Sequence, residues 1–189
     1  MLFLPALKFG LLNGWLLLLA YFGGLILNVL AFPRDLRRKL FYEPAYPRDN
    51  PRYWILMLGR VCAITFVVLM LFTPLRTGTL LFYIGLGVYL IGYAVVMLAL
   101  IDYKRAPLSQ PVQNGLYRFL RNPQWLGLVM VYLGASLAVG GWLHLLLVAE
   151  LAAAYHFQIL LEEAACQHLY GEAYEEHKRA TARYLKGLG

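Results

Sequence analysis

The stretch from Trp125 to Leu161, WLGLVMVYLGASLAVGGWLHLLLVAELAAAYHFQILL, decides how the chain folds. It runs for 37 residues with no Lys or Arg and a single acidic residue, Glu150. A bilayer core about 30 Å thick takes roughly 20 apolar residues of helix. The stretch is therefore too long for one crossing and suits two. Gly140-Gly141 near its middle is the natural turn, which predicts a tight helical hairpin with arms 125–140 and 142–161.

Three further apolar runs lie upstream, from about Phe9 to Phe32, Tyr53 to Phe72 and Thr79 to Ile101. Composition agrees with this count. Of 189 residues, 61% are hydrophobic and 14% charged, against roughly 45–50% and about 25% in soluble domains. So few charges cannot cover so much apolar surface. Disorder, a coiled coil and, with two Cys, a disulfide scaffold are excluded on the same grounds. The expected fold class is all-α: a polytopic membrane protein with five transmembrane helices, the last two forming the hairpin, and cytosolic C-terminal helices.

The net charge of +7 is read as a topology signal, not as a sign of nucleic-acid binding. Arg34, Arg37, Arg38, Lys39, Arg48 and Arg52 follow the first run, and Lys104, Arg105, Arg118 and Arg121 follow the third. Lys178, Arg179, Arg183 and Lys186 lie in the tail. With five spans, these fourteen of the 17 basic residues share one side. Four spans would divide them. Only Lys8 and Arg76 fall opposite, while Arg60 sits within the second span near its basic end. The positive-inside rule then puts the N-terminus outside and the C-terminus in the cytoplasm. The first run is longer than a signal peptide's apolar region and lacks a small-x-small cleavage site, so it is read as an anchor. Cys62 and Cys166 are expected to be reduced and structural.

Two segments outside the membrane carry information. In Asp102–Gln124, Pro107 and Pro111 forbid a continuous helix, Asn114-Gly115 reads as a turn, and Leu116–Arg121 suits one or two helical turns stopped by Pro123. In the tail from Glu162, Gly171 reads as a break between two helices. The second has acidic Glu172, Glu175 and Glu176 first and basic Lys178, Arg179 and Arg183 last, the order that complements a helix dipole. Tyr170, Tyr174 and Tyr184 suit an interfacial position. We divide the chain into a three-helix part, 1–101, and a core, 102–189, that holds the loop, the hairpin and the tail.

Few residues carry chemistry. The run from Gly85 to Gly92 has the wrong spacing for a dinucleotide loop and reads as small residues for close helix packing. Glu150, Ala154, Gln158 and Glu162 are four apart and form one stripe from mid-membrane to the surface. Glu150 there is either a protonated partner in an interhelical hydrogen bond or part of a cavity wall. His144 reads as interfacial. His156, His168 and His177 lack metal-ligand spacing, and the chain's only serines, Ser109 and Ser136, make no hydrolytic triad. No metal is expected.

The order of motifs is more telling than any one of them. Gly115-Leu-Tyr117-Arg-Phe-Leu-Arg121-Asn122-Pro123-Gln124-Trp125-Leu-Gly127 precedes the hairpin, and Glu162-Glu163 and then Leu169-Tyr170-Gly171-Glu172-Ala-Tyr174 follow it. This resembles the isoprenylcysteine carboxyl methyltransferases and the related phospholipid methyltransferases of the same membrane superfamily, over about 80 residues from Ser109 onward. Their pattern is Gly-x-Tyr, Arg-His-Pro-x-Tyr-x-Gly, two membrane helices, Glu-Glu, then Phe-Gly-x-x-Tyr.

The resemblance implies a methyltransferase that binds S-adenosylmethionine on the cytosolic face, with the lipid bilayer and a small-molecule or lipid methyl acceptor as partners. Carried over by position, the cofactor residues are Ser109, Gln110, Pro111 and Val112, then Tyr117, then Asn122, Pro123, Gln124 and Trp125, then Glu162 with Glu163. A carboxylate such as Glu162 accepts from ammonium or ribose hydroxyl groups, and backbone near Pro123 reaches an adenine edge. Tyr117 and Trp125 offer aromatic faces to adenine and to a cationic sulfonium. Arg121 holds the cofactor carboxylate or braces the Glu pair.

Departures from the pattern bear on the acceptor. Asn122 replaces the His of Arg-His-Pro and Trp125 the following Tyr; both keep a hydrogen-bonding or stacking role. In the isoprenylcysteine enzymes an Arg one helical turn before the first Glu engages the substrate, and Gln158 stands there in this chain. A neutral nucleophile (an amine, a thiol or a lipid headgroup) is favoured over a carboxylate. Glu150 and Gln158 are the candidate catalytic residues, Glu150 to orient an amine or take its proton. The alternatives are a phospholipid N-methyltransferase, a sterol-reductase-like relative using a nicotinamide cofactor, and a non-enzymatic membrane scaffold or transporter subunit.

Overall fold

The computed structural model describes residues 2–3, 6–41, 44–107 and 109–184. Lys186, counted above among the tail's basic residues, lies outside them. The chain runs through α1 (Trp15–Leu30), α2 (Arg34–Leu40), α3 (Pro51–Phe72), α4 (Leu80–Arg105), a 3-10 turn at Gly115–Arg118, α5 (Pro123–Val139), α6 (Trp142–Tyr170) and α7 (Glu172–Ala180). The described residues form an all-α fold. Helices α3, α4 and α6 are long and apolar enough to cross a membrane, while α1 and α5 are apolar but shorter, at 16 and 17 residues.

Local chemistry explains where these helices begin and end. Asn50 caps α3 by accepting from the Arg52 amide, and Thr79 caps α4 by accepting from the Phe82 amide. The first apolar run becomes helical only at Trp15, because the residues ahead of it are tied to the end of α3. Lys8 N donates to Phe72 O and Gly14 N to Thr73 O. Asn13 is buried there, its Nδ2 donating to Lys8 O at 2.6 Å and Leu71 O at 3.0 Å. An Asn side chain engaged this way competes with the helix ladder. Pro123 opens α5 at the first position, where its missing N–H costs nothing. Gly140, at φ 68°, then takes the left-handed conformation that turns the chain into α6.

The largest difference from the expected boundaries is in α6. A span ending at Leu161 and a separate tail helix were expected, but one helix of 29 residues continues to Tyr170 and breaks only at Gly171. At 1.5 Å per residue it is about 44 Å long, roughly 14 Å more than a bilayer core. The polar residues Glu162 and Glu163 lie in its C-terminal turns. The basic loop after α1 also contains an unforeseen helix, α2, held by buried Leu36 beside buried Phe32.

The tightest packing joins α4 to α5. Gly85 and Gly92 on α4 face Gly134 and Gly127 on α5 so closely that a Cβ added at Gly92 would lie 2.7 Å from Gly127 O. Small residues let the two backbones touch. Elsewhere the core is aromatic and aliphatic, with Phe66 edge-on to Tyr132 at 4.8 Å between ring centres. His144, expected at the interface, is instead fully buried against Phe66, with Nε2 3.4 Å from Thr73 Oγ1.

Alternating helix directions leave the two ends unlike. The start of α1, the end of α3 and the α5–α6 turn meet at one end, where Arg76 N donates to Ala138 O. At the other end α2, the 3-10 turn and α7 gather, together with the basic segments. There Arg121 N donates to Ala182 O and the Lys39 ammonium sits over the rings of Tyr103 and Tyr170.

Candidate active site

The link from α4 into α5 is folded by Asp102. Its carboxylate accepts from the Leu116 amide at 2.9 Å and its carbonyl from Asn114 Nδ2 at 3.0 Å. This sets the Asn114-Gly115 turn and drives Tyr117 into the interior, where it is 7% exposed. Gln124 Nε2 donates to the Tyr117 hydroxyl at 2.7 Å. Burial, with Tyr103 close by, pushes the Tyr117 phenol well above its usual range, so it stays protonated.

The two glutamates on α6 do different work. Glu163 is a clasp. It accepts from Arg121 Nε at 2.9 Å, Asn122 Nδ2 at 3.2 Å and Arg183 Nη2 at 2.8 Å. Arg121 also donates to the carbonyls of Lys178 and Thr181, tying the link, α6 and the segment after α7 into one unit. Among the described contacts Arg121 reaches Glu163 of the Glu pair. Glu162, one residue earlier, accepts from Trp125 Nε1 at 2.9 Å and from Gln158 Nε2 at 3.4 Å. The Trp125 ring in turn leans on Tyr155, with ring centres 4.7 Å apart.

These residues border two cavities that share part of their wall. The smaller, about 130 Å³, takes in Pro111, Val112, Tyr117, Arg121, Asn122, Gln124, Trp125, Glu162 and Glu163, with Tyr174 and His177 from α7. Burial and the nearby Arg121 guanidinium lower the His177 imidazole below its ordinary value, so it is neutral at physiological pH. The larger, about 860 Å³, opens between α1, α4 and α5 against the apolar side chains of Leu25, Val29, Val96, Leu100 and Leu128. Lys39, Tyr103, Gln124, Trp125, Glu162, Cys166 and Tyr170 line both.

Most of the residues singled out in the sequence converge here, but not all. Ser109 and Gln110 are exposed and line neither cavity, and Pro123 is buried as the start of α5. Glu150 and Gln158 also line neither cavity. Glu150 faces α3, its carboxylate near Gly59 and Cys62. Gln158, 3% exposed, stands behind Glu162. Tyr170 and Tyr174 border the site, and Tyr184 bonds His156 Nδ1 at 2.8 Å. Sequence reasoning did not assign Lys39, Asp102, Tyr103, Cys166 or His177 to the site. A carboxylate followed by an aromatic at the end of an apolar run was the one hint, at Asp102-Tyr103.

The phospholipid methyltransferase family matches residues 75–173. The chain belongs to this family. The match bears out the resemblance drawn from the motifs and places the protein in a class of membrane methyltransferases. It takes in α4 through α6, and with them the residues from Ser109 to Glu163 that the resemblance assigned to the cofactor, whereas α1 to α3 lie ahead of it. Comparison with curated proteins and with solved structures returned no match.

Proposed function

We propose that the protein takes a methyl group from S-adenosylmethionine at the cytosolic face of a membrane and passes it to a lipophilic acceptor held in the larger cavity. The observation that carries this reading is the Trp125–Glu162 bond, in the wall shared by the two cavities. The donor set fits the cofactor. A carboxylate bonded to the Trp125 indole suits a cation flanked by hydroxyl and ammonium groups. The smaller cavity alone, about 130 Å³, falls below the ~300–1,000 Å³ of ligand sites. The donor site therefore includes the adjoining end of the larger one.

When bound, the donor supplies an electrophilic methyl group on a sulfonium. The chain's task is to hold the reactants in line and keep water away. Glu162 binds ammonium or ribose hydroxyls, and Gln158 positions it. Pro111, Val112 and Tyr117 close the polar end, with Arg121, Asn122 and Glu163 holding the link in place. Glu150 is a half-buried contact with α3 in this reading. Five spans are proposed, α1 and α5 being short ones, with the N-terminus outside. The clustering of basic segments at the site's end supports this orientation. Gln158 in place of a cation, together with the family's description, favours an amine of a phospholipid headgroup as the acceptor.

Calorimetry on the detergent-purified protein tests the donor. S-adenosylhomocysteine binds and NADPH does not, and Trp125→Ala or Glu162→Gln weakens binding about tenfold or more. No binding of S-adenosylhomocysteine overturns the proposal. Incubation with labelled S-adenosylmethionine and a membrane extract, followed by mass spectrometry, identifies the acceptor.

A further inference from the structure

The walls of the larger cavity stop at one level on three helices. Its lining runs from Val29 to Tyr21 on α1, from Tyr103 to Val96 on α4 and from Gln124 to Leu128 on α5. Among the described residues, none nearer the opposite end of these helices borders it. Two features close it there. One turn past Val96 the backbones of α4 and α5 touch at Gly92 and Gly127, and a Cβ added at Gly127 would lie 2.8 Å from Val96 Cγ2. From α1, Tyr21 fills the remaining corner. It is 6% exposed, and behind it stand Leu17, Leu18, Tyr89 and Tyr132 of the same core cluster, which do not line the cavity.

The depth follows from helix geometry. At 1.5 Å per residue the wall rises about 12 Å from Tyr21 to Val29 and about 10 Å from Val96 to Tyr103. That is under half of a bilayer core about 30 Å thick, so the groove ends within one leaflet. C–C bonds of about 1.5 Å in a zigzag advance roughly 1.25 Å per carbon, which makes this depth roughly eight to ten carbons. We infer that Tyr21 is the floor of the acceptor groove and limits the apolar segment held inside the protein to about that length. Tyr21 is then a specificity-determining residue, and this rests on the methyl-transfer reading for the acceptor's place. Carbons beyond the limit stay outside, in the lipid. The side chain that sets the limit comes from α1, ahead of the matched residues 75–173.

The test uses the full chain in neutral maltoside micelles with a series of primary amines from hexylamine to hexadecylamine, each carrying a diazirine at the end of its chain. After irradiation, mass spectrometry locates the labelled residues. In the wild type the label moves from Leu25 and Leu100 to Tyr21 and Val96 as the chain lengthens to octyl and decyl, and longer chains reach nothing deeper. Tyr21→Ala carries the deepest label about one turn further, to Leu17, Leu18 or Tyr132. Tyr21→Phe keeps the ring and the wild-type map. Leu25→Trp raises the floor by about one turn, leaving the deepest label at Val29 and Leu100, and decides the matter if Tyr21→Ala does not fold. The inference is overturned if the wild type is labelled at Leu17, Leu18 or Tyr132. It is also overturned if folded Tyr21→Ala or Leu25→Trp keeps the wild-type map, or if no chain length labels the groove. Calorimetry with S-adenosylhomocysteine on the wild type is read separately: no binding sinks the methyl-transfer reading, while the label map still decides the floor.

Discussion

Trp125 Nε1 and Glu162 Oε2 lie 2.9 Å apart, and this bond ties the first turn of α5 to the C-terminal third of α6. It holds a carboxylate against an indole where the two cavities meet. A charge-assisted bond of this kind contributes roughly 1.5–3 kcal/mol, enough to fix how Glu162 presents its oxygens.

Trp125→Phe keeps an aromatic face but removes the donor. The expected result is a loss of about tenfold in S-adenosylhomocysteine affinity by calorimetry with little change in the thermal midpoint. A larger loss in Trp125→Ala than in Trp125→Phe assigns the remainder to the ring. Equal affinities in wild type and Trp125→Phe would remove the bond from the binding site.

Glu163 gives a different expectation because its partners are structural. Glu163 is 7% exposed and Arg121 10%, while Arg183 is 28% exposed. Removing the carboxylate leaves a buried guanidinium unpaired, at a cost of about 3 kcal/mol. Removing the more exposed Arg183 costs under about 1 kcal/mol. Thermal unfolding in detergent should rank Glu163→Gln well below Arg183→Gln. Limited proteolysis should cut the segment after α7 first in the Glu163 variant.

How much of this was readable beforehand depends on which physical signal carried it. Apolar runs and the Gly140-Gly141 pair located the long helices because burial in lipid demands continuous hydrophobicity. Motif order brought Tyr117, Trp125 and Glu162 together, since each brings a residue type that the proposed chemistry needs. Asn13 shortened α1 through a bond to Leu71, 58 positions away, which local pattern cannot show. Lys39 and His177 reach the site through α2 and α7, by tertiary packing alone. Glu150 shares a four-residue spacing with Glu162, but the stripe packs Ala154 against Gly59 on α3 partway along. Spacing gave the face of the helix and not its neighbour.

The α4–α5 seam should be the least forgiving part of the membrane region. A side chain at Gly92 would meet Gly127 O and the Val131 amide, both backbone, each 2.7 Å from its Cβ. Neither can move as a side-chain tip does. Overpacking costs typically 1–3 kcal/mol, so Gly92→Val should lower the thermal midpoint in detergent by several degrees. Gly87, with open space around its Cβ position, should accept Val with little change. If both variants melt alike, the seam is not set by close approach.

His177 makes the site sensitive to acid. It lies against Arg121, its Nδ1 is 3.3 Å from Thr181 Oγ1, and its ring centre is 6.1 Å from that of Tyr174. Its imidazole binds a proton less readily in the folded chain than in the unfolded one, where the ordinary value is about 6.5. Between the two values the unfolded state holds more protons, so stability rises with pH across that window. The fold is unaffected by this group above about pH 6.5 and weakens as pH falls through it, until His177 is charged in both states. The wild-type thermal midpoint should therefore drop between pH 7.5 and about 5.5. His177→Gln keeps a polar side chain without a titrating one and should flatten that part of the profile. Parallel profiles for the two proteins would show that the acid response comes from elsewhere.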